Sequence, residues 1–374
     1  MGLEIAGGQG VYLHDTSGKR YLDLIAGIGV SALGHNHPAV VKAVQDQAGR
    51  YMHTLVYGEF VLAPQAELAA LITAQLPAEL DNVYFVNSGT EATEGAMKLA
   101  KRATGRPEFI SAKRSYHGST QGAASLQWPK DFTQVFHPLL PGINHLDFNC
   151  DYCLHRITEK TAAVILETVQ AEWGIRKPRP EWLQAVRKRC DETGALLIFD
   201  EIQAGMGRTG TLFAFEQYGV VPDILLLAKG FGGGMPLGAF IANKKVMDLF
   251  TENPVLGHIT TFGGHPVSCA AGLAVLKTLL AQPELITDVA RKEALFHELL
   301  VHPKIRHVRS AGLWFAVELE DFDQIQATIA VCLERGLITD WFLWNERSLR
   351  IAPPLTITEE EIRKACGIVL DALG

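Results

Sequence analysis

Six short apolar runs between about residues 83 and 243 limit the fold of this chain more than any other feature: "VYFVN", "EFISA", "AAVILE", "ALLIFDE", "DILLLA" and "GAFIAN". Several are apolar at successive positions rather than at alternate ones. A strand with one wet face alternates, whereas a strand covered by helices on both faces has no position to spare for a polar side chain. Helical patterns separate the runs, which predicts an α/β fold with a mostly parallel sheet and helices on both faces. From about residue 266 the text changes. "HPVSCAAGLAVLKTLLA", "TDVARKEALFHELLV", "FDQIQATIAVCLERG" and "TEEEIRKACGIVLDAL" read as amphipathic helices around a β-like "GLWFAVELE", and Thr358 with Glu361 forms a capping box before the last of them. The expected organisation is a large domain over 41–265 and a smaller α+β domain over 266–374, joined by an N-terminal segment, residues 1–40.

Composition removes several function classes. The 374 residues are 48% hydrophobic, enough for a large core, and 34 Lys and Arg against 41 Asp and Glu give a formal charge of −7. With no basic run there is no electrostatic footprint for nucleic acid. No apolar stretch approaches the roughly 18 residues of a membrane span, and "MGLEIAGGQGVYLHD" lacks the cationic-then-apolar pattern of an export signal, so a cytoplasmic protein acting on small molecules is expected. Six scattered cysteines without an export signal then imply reduced thiols. Cys150 and Cys153 make a C-x-x-C, but His155 is the only obvious further ligand, so ordinary packing is preferred to a metal or redox site and no metal is expected.

Ligands of open α/β sheets bind beyond the carboxyl ends of the strands, and three of those ends are unusual. After "VYFVN", Ser88, Gly89 and Thr90 sit on the turn into a helix, where backbone N–H groups, hydroxyls and the helix dipole favour an anion; plain N-capping is the competing explanation. After "ALLIF", Asp200 is either a satisfied turn residue or the partner of a cationic ring nitrogen. After "ILLLA" comes Lys229, which either escapes to water or, desolvated, becomes a nucleophile for carbonyls. An anion cradle, a buried carboxylate and a reactive amine together are the requirements of pyridoxal 5'-phosphate. "GMGRTG", with Asp223 downstream, satisfies G-x-G-x-x-G and would suggest a dinucleotide site. Four residues separate it from the strand end at Asp200, and only "TLFAFEQY" precedes the next breaker, which is short for a crossover helix.

The motifs "GVYLHDTSGKRYLDLIAGIGVSALGHNHPAVVKA", "YFVNSGTEATEGAMKLAKR", "SYHGST", "VILETVQAEWGI", "LLIFDEIQAGMGRTG", "LLLAKGFGGGMPLGA", "TTFGGHPVSCAA" and "LRIAPPLTIT" follow one another in order. In these the chain resembles the class III, or omega, aminotransferases of fold type I, the pyridoxal-phosphate-dependent transferases, and most closely their acetylornithine and ornithine branch. The resemblance implies a role for each matching residue. Lys229 bonds the cofactor aldehyde and moves the proton. Asp200 pairs with the pyridine nitrogen, Ile202 covers one ring face and Gln203 bonds the ring hydroxyl. Tyr116 stacks on the other face with His117 behind it, and Ser88, Gly89 and Thr90 take the phosphate. Thr261 reaches the phosphate of a neighbouring subunit, which implies a homodimer. Arg350 binds a substrate α-carboxylate, and Glu172 is its switchable partner.

The implied activity moves an amino group from an ω-amino donor to 2-oxoglutarate in a ping-pong cycle. Three departures leave 4-aminobutyrate, lysine or a diamine open as donor beside acetylornithine and ornithine. Ser119 stands where those enzymes place a carboxylate-binding arginine. The leader that adds substrate contacts in relatives is missing or very short, and "TDWFLWNERS" carries Trp341 and Trp344 where acetylornithine enzymes are usually less aromatic. An aminomutase or decarboxylase on the same cofactor, a binding protein that has lost activity and, more remotely, an NAD-dependent dehydrogenase compete with the transaminase reading.

Overall fold

The computed structural model describes residues 2–374. Near the N-terminus the strands β1 (Ile5–Gln9), β2 (Tyr12–Asp15) and β3 (Arg20–Asp23) form an antiparallel meander. A central sheet follows, made of β4 (Asn82–Val86), β5 (Glu108–Ala112), β6 (Ile143–Leu146), β7 (Thr161–Glu167), β8 (Leu196–Asp200), β9 (Ile224–Leu227) and β10 (Gly238–Ala242). The C-terminal part carries β11 (His307–Ser310), β12 (Phe315–Glu318), β13 (Leu337–Ile338), β14 (Asp340–Phe342) and β15 (Asn345–Ile351).

The central sheet has the order β4-β10-β9-β8-β7-β5-β6. Only β10 runs against the others, pairing antiparallel with β4 and β9, so the sheet is mostly parallel. Successive side chains of a strand point to opposite faces. In β8, Leu197 and Phe199 accordingly enter one buried cluster and Ile198 the other; in β9, Leu225 and Leu227 part from Ile224 and Leu226 in the same way. The second face is covered by the helix Gly89–Thr104 through Ala92, Ala96, Met97, Leu99 and Ala100. The first takes Trp182, Leu183 and Val186 of the helix Pro180–Thr193. In β7, β9 and β10 every position is thus buried on one side or the other, and for this reason those runs do not alternate. Glu167 and Asp200 are the terminal residues of β7 and β8 and lie opposite each other in register.

The helix Pro266–Ala281 packs against Pro38–Arg50, Ala63–Thr73 and the turn that begins at Lys229. A second antiparallel sheet, β11-β12-β15-β14, lies in the C-terminal part, where the helices Val289–Leu299 and Phe322–Glu334 pack on Glu359–Leu373. The helix Glu359–Leu373 carries the capping box between Thr358 and Glu361. β13 pairs in parallel with β3, which ties the N-terminal meander to the C-terminal part. Among the described residues no single helix is long and apolar enough to cross a membrane.

One expectation is corrected. Cys150 and Cys153 form a disulfide, whereas Cys190, Cys269, Cys332 and Cys366 are free and buried. The two sulfurs are brought together because Tyr152–Arg156 coils as a tight helical turn, on which Cys153 donates its N–H to the Cys150 sulfur.

Candidate active site

A cavity of about 480 Å³ opens at the carboxyl ends of the parallel strands. The turn after β4 brings Ser88, Gly89 and Thr90 to it, and the turn after β5 brings Tyr116, His117 and Ser119. β7 contributes Glu167, β8 contributes Asp200 with Ile202 and Gln203 beyond it, and β9 contributes Lys229. Thr261 lies outside this cavity, exposed, with its carbonyl bonded to His53 at 2.8 Å.

Lys229 is held in the left-handed region at φ +50°, which turns the chain sharply out of β9. Burial pushes its ammonium down to about 8; Arg350 adds to the effect, while Glu172, Asp200 and Glu167 oppose it. Asp200 is 4% exposed. Its Oδ1 accepts the Ile202 N–H at 3.0 Å, and its Oδ2 lies 2.7 Å from Nδ1 of the buried His117, whose Nε2 has no partner.

At the start of Gly89–Thr104, the Ser88 hydroxyl accepts the N–H of Glu91 at 3.3 Å. The Glu91 carboxylate reaches back to the N–H and side chain of Asn87 at 2.7 and 2.9 Å. That arrangement leaves the first N–H groups of the helix free for an anion. The turn after β5 closes onto it: Thr90 and Thr120 share a hydroxyl hydrogen bond at 2.7 Å, and a Cβ at Gly118, where φ is +126°, would stand 2.3 Å from the Thr90 hydroxyl. Only glycine fits there.

An anion cradle, a carboxylate and a weakened ammonium on one cavity wall, beside an imidazole nitrogen buried without a partner, fit a phosphorylated pyridine aldehyde. Comparison with known proteins agrees, because the profile of the aminotransferase class-III family matches residues 1–373. The chain belongs to the class-III aminotransferases. It is therefore a pyridoxal-phosphate-dependent transaminase. Among its relatives are the acetylornithine aminotransferase of Methanopyrus kandleri, 42% identical over 98% of this chain and 93% of that protein, and the putrescine aminotransferase of Pectobacterium atrosepticum, 39% identical over 96% and 80%. The ornithine aminotransferase of Toxoplasma gondii superposes with a TM-score of 0.92 at 30% identity, covering 100% of this chain and 90% of that one.

In this class-III chain, Glu172 and Arg350 form a buried two-pronged pair of 3.1 and 2.8 Å, with both side chains about 5% exposed or less. Arg350 also donates to the Trp341 carbonyl at 2.8 Å and stands over the Phe342 ring. Glu172 accepts the Leu343 N–H at 3.1 Å, so the turn between β14 and β15 holds the carboxylate in place. The Ser119 hydroxyl is bonded to the Tyr116 hydroxyl at 2.8 Å, and the Tyr116 ring leads on to Trp344 and from there to Phe132. The "GMGRTG" stretch forms turns with no crossover helix after it, and Asp223 is taken by Arg187 and the Leu197 N–H, each at 2.7 Å.

Three carboxylates went unread in the sequence. Asp340 lies 3.1 Å from Arg350 Nε, too bent for a hydrogen bond, and burial raises it to about 6. Glu201 is buried and raised to about 8, and it accepts the N–H groups of Ala214 and Phe215, which makes it a brace for the following loop. Glu167 faces the cavity itself. "AAVILE" ends a buried strand on a carboxylate just as "LLIFD" does, so the signal that singled out Asp200 was present for Glu167 too.

Proposed function

We propose that the protein moves the terminal amino group of an ω-amine to a 2-oxo acid, with 2-oxoglutarate as acceptor, in two half-reactions at this one cavity. The Glu172–Arg350 pair is the observation that carries the reading. A guanidinium beside the reacting lysine grips the α-carboxylate of glutamate when Glu172 turns away; with Glu172 in place the charge is cancelled, and a terminal amine enters without a carboxylate of its own being caught there.

The residues suit pyridoxal phosphate position by position. The helix start and the Ser88 and Thr90 hydroxyls would take the phosphate, Asp200 the ring nitrogen, Gln203 the ring hydroxyl, and Tyr116 and Ile202 the two ring faces. Bound there, the cofactor supplies an aldehyde for the amine and a ring that draws electrons from the neighbouring carbon. Lys229 does the proton work. An ammonium near 8 instead of 10.5 leaves about a tenth of it neutral at pH 7, an increase of roughly 300-fold, so its Nζ can take a proton from the donor carbon and return it. Asp200, fixed by contacts with His117 and the Ile202 N–H, would face the ring nitrogen and favour positive charge there.

The site is completed by a second copy of the chain. Thr261 lies outside the cavity on an exposed segment with Val255, Leu256, Ile259 and Phe262, and an apolar, exposed stretch of that kind suits a subunit interface. One observation favours a donor without a carboxylate at its far end: Ser119, on the cavity wall where an arginine would grip such a carboxylate, is spent on Tyr116, which leaves the guanidinium of Arg350 beside Lys229 for the α-carboxylate. The relative named for putrescine agrees with that choice, and those named for acetylornithine agree with the other. A panel of acetylornithine, ornithine, 4-aminobutyrate, lysine and putrescine with 2-oxoglutarate tests both points. Glutamate formed from at least one donor supports the function, formation from putrescine alone supports the diamine form, and no turnover with any donor overturns the proposal.

A further inference from the structure

Glu167 remains unexplained by the roles above. It is 6% exposed, faces the cavity and stands opposite Asp200 on the neighbouring strand, about 5 Å away by the strand spacing. Alternation puts both side chains on the same face of the sheet. Its Oε1 accepts the N–H of Tyr116 at 3.0 Å, and its Oε2 accepts the N–H of Ala171, the residue before Glu172, at 2.8 Å. No cation bonds it. One carboxyl group therefore ties together the turn that carries Tyr116 and His117 and the turn that carries Glu172.

We propose that Glu167 is a positioning residue that stays uncharged, locking these two turns into one unit without adding a second negative charge beside Asp200. Two carboxyl groups side by side in a dry site do not both ionise readily. The groups facing Glu167 are Asp200 from β8, His117 and Tyr116 from the turn after β5, Lys229 from β9, and Glu172 with its partner Arg350 from β15. Lys229 is the one free cation among them, and Glu172 cancels Arg350. Burial, and after it the Asp200 charge, raise Glu167 well above the usual carboxylate range, and the two N–H groups only partly offset them. Neutrality has a use here: a second negative charge would hold the proton on Lys229 and oppose its role as a base.

The inference rests on the cofactor reading, and the experiment separates the two. The wild type and Glu167→Gln are loaded with pyridoxal phosphate and the absorbance of the bound cofactor is titrated against pH. A neutral Glu167 predicts midpoints within about 0.3 units of each other, because the substitution changes no charge. A charged one predicts a fall of about one unit or more, since a unit charge within about 10 Å has that effect at the effective dielectric of about 20 that suits protein sites. That fall would overturn the proposal. Failure of the wild type to take up cofactor would sink the functional reading instead. Glu167→Ala, without cofactor, tests the lock: amide exchange at Tyr116 and Ala171 should quicken at least tenfold while that of the β8 core stays slow, and unchanged exchange at both would contradict it.

Discussion

Removing either partner of the Glu172–Arg350 pair should have opposite consequences for the two half-reactions, and the surrounding geometry sets the sizes. Arg350→Ala deletes both prongs of a pair with almost no solvent access and leaves Glu172 and Asp340 as buried carboxylates without a counter-charge. Removing the guanidinium that would pair with the glutamate α-carboxylate costs about 2–5 kcal/mol of binding, so kcat/KM for the glutamate half-reaction should fall by about 30-fold to a few thousand-fold. Glu172→Ala is milder. Arg350 keeps the Trp341 carbonyl at 2.8 Å and the Asp340 carboxylate at 3.1 Å, so its charge is still half met. The glutamate half-reaction should be unchanged or faster, and the ω-amine half-reaction slower by about tenfold, or 1.4 kcal/mol. Single-turnover measurements that follow the bound cofactor's absorbance read each half separately. Equal losses in both halves for Glu172→Ala would refute the switch and leave Glu172 a purely structural anchor for the β14–β15 turn.

Other perturbations test the packing around the site. Gly118→Ala combines a left-handed φ with a Cβ driven against Thr90, and it should lower stability by about 1–3 kcal/mol and weaken cofactor binding, read by thermal unfolding with and without pyridoxal phosphate. Alkylation of the native protein without reductant should label none of the six cysteines, since two are joined and four are buried with thiols pushed up; reductant should open only the half-buried Cys150 to the reagent, because Cys153 is buried like the other four. Lys229 has its folded value lowered to about 8, so between there and about 10.5 the unfolded chain binds more protons than the folded one. The stability of the cofactor-free protein should therefore gain an increment as pH rises through that window, and Lys229→Met should remove that increment in denaturant titrations.

Local pattern made the central sheet legible, because helices on both faces keep the inner positions of a strand mostly apolar; "VYFVN", "EFISA" and "DILLLA" match β4, β5 and β9 to within one or two residues. The short hairpin β14–β15 did not announce itself. "DWF" and "NERSLRI" mix charges with apolar residues because one side of this edge is wet, and the turn between them, which anchors Glu172, is visible only once Leu343 is seen donating to it. The pairing of β3 with β13 joins residues more than 300 positions apart, a separation at which local pattern carries no information. Cysteine spacing gave no means of telling a dithiol from a disulfide, and the inference from compartment pointed the wrong way. Among the site residues, Lys229 and Asp200 stood out as charges ending apolar runs, whereas Glu167 showed the same pattern and needed the register with Asp200 to acquire a meaning.

Lys229 holds and works the cofactor in the reading developed above, and its bond to the cofactor can be trapped. The protein is incubated with pyridoxal phosphate, freed of excess reagent, reduced with borohydride and digested, and the cofactor-bearing peptide is located by mass spectrometry. The expected result is a yellow protein before reduction, a single label on Lys229 in the peptide containing "AKGFGGG", and neither colour nor label at that site in Lys229→Ala. A colourless wild type, or a label carried by another lysine while Lys229 stays unmodified, would contradict it.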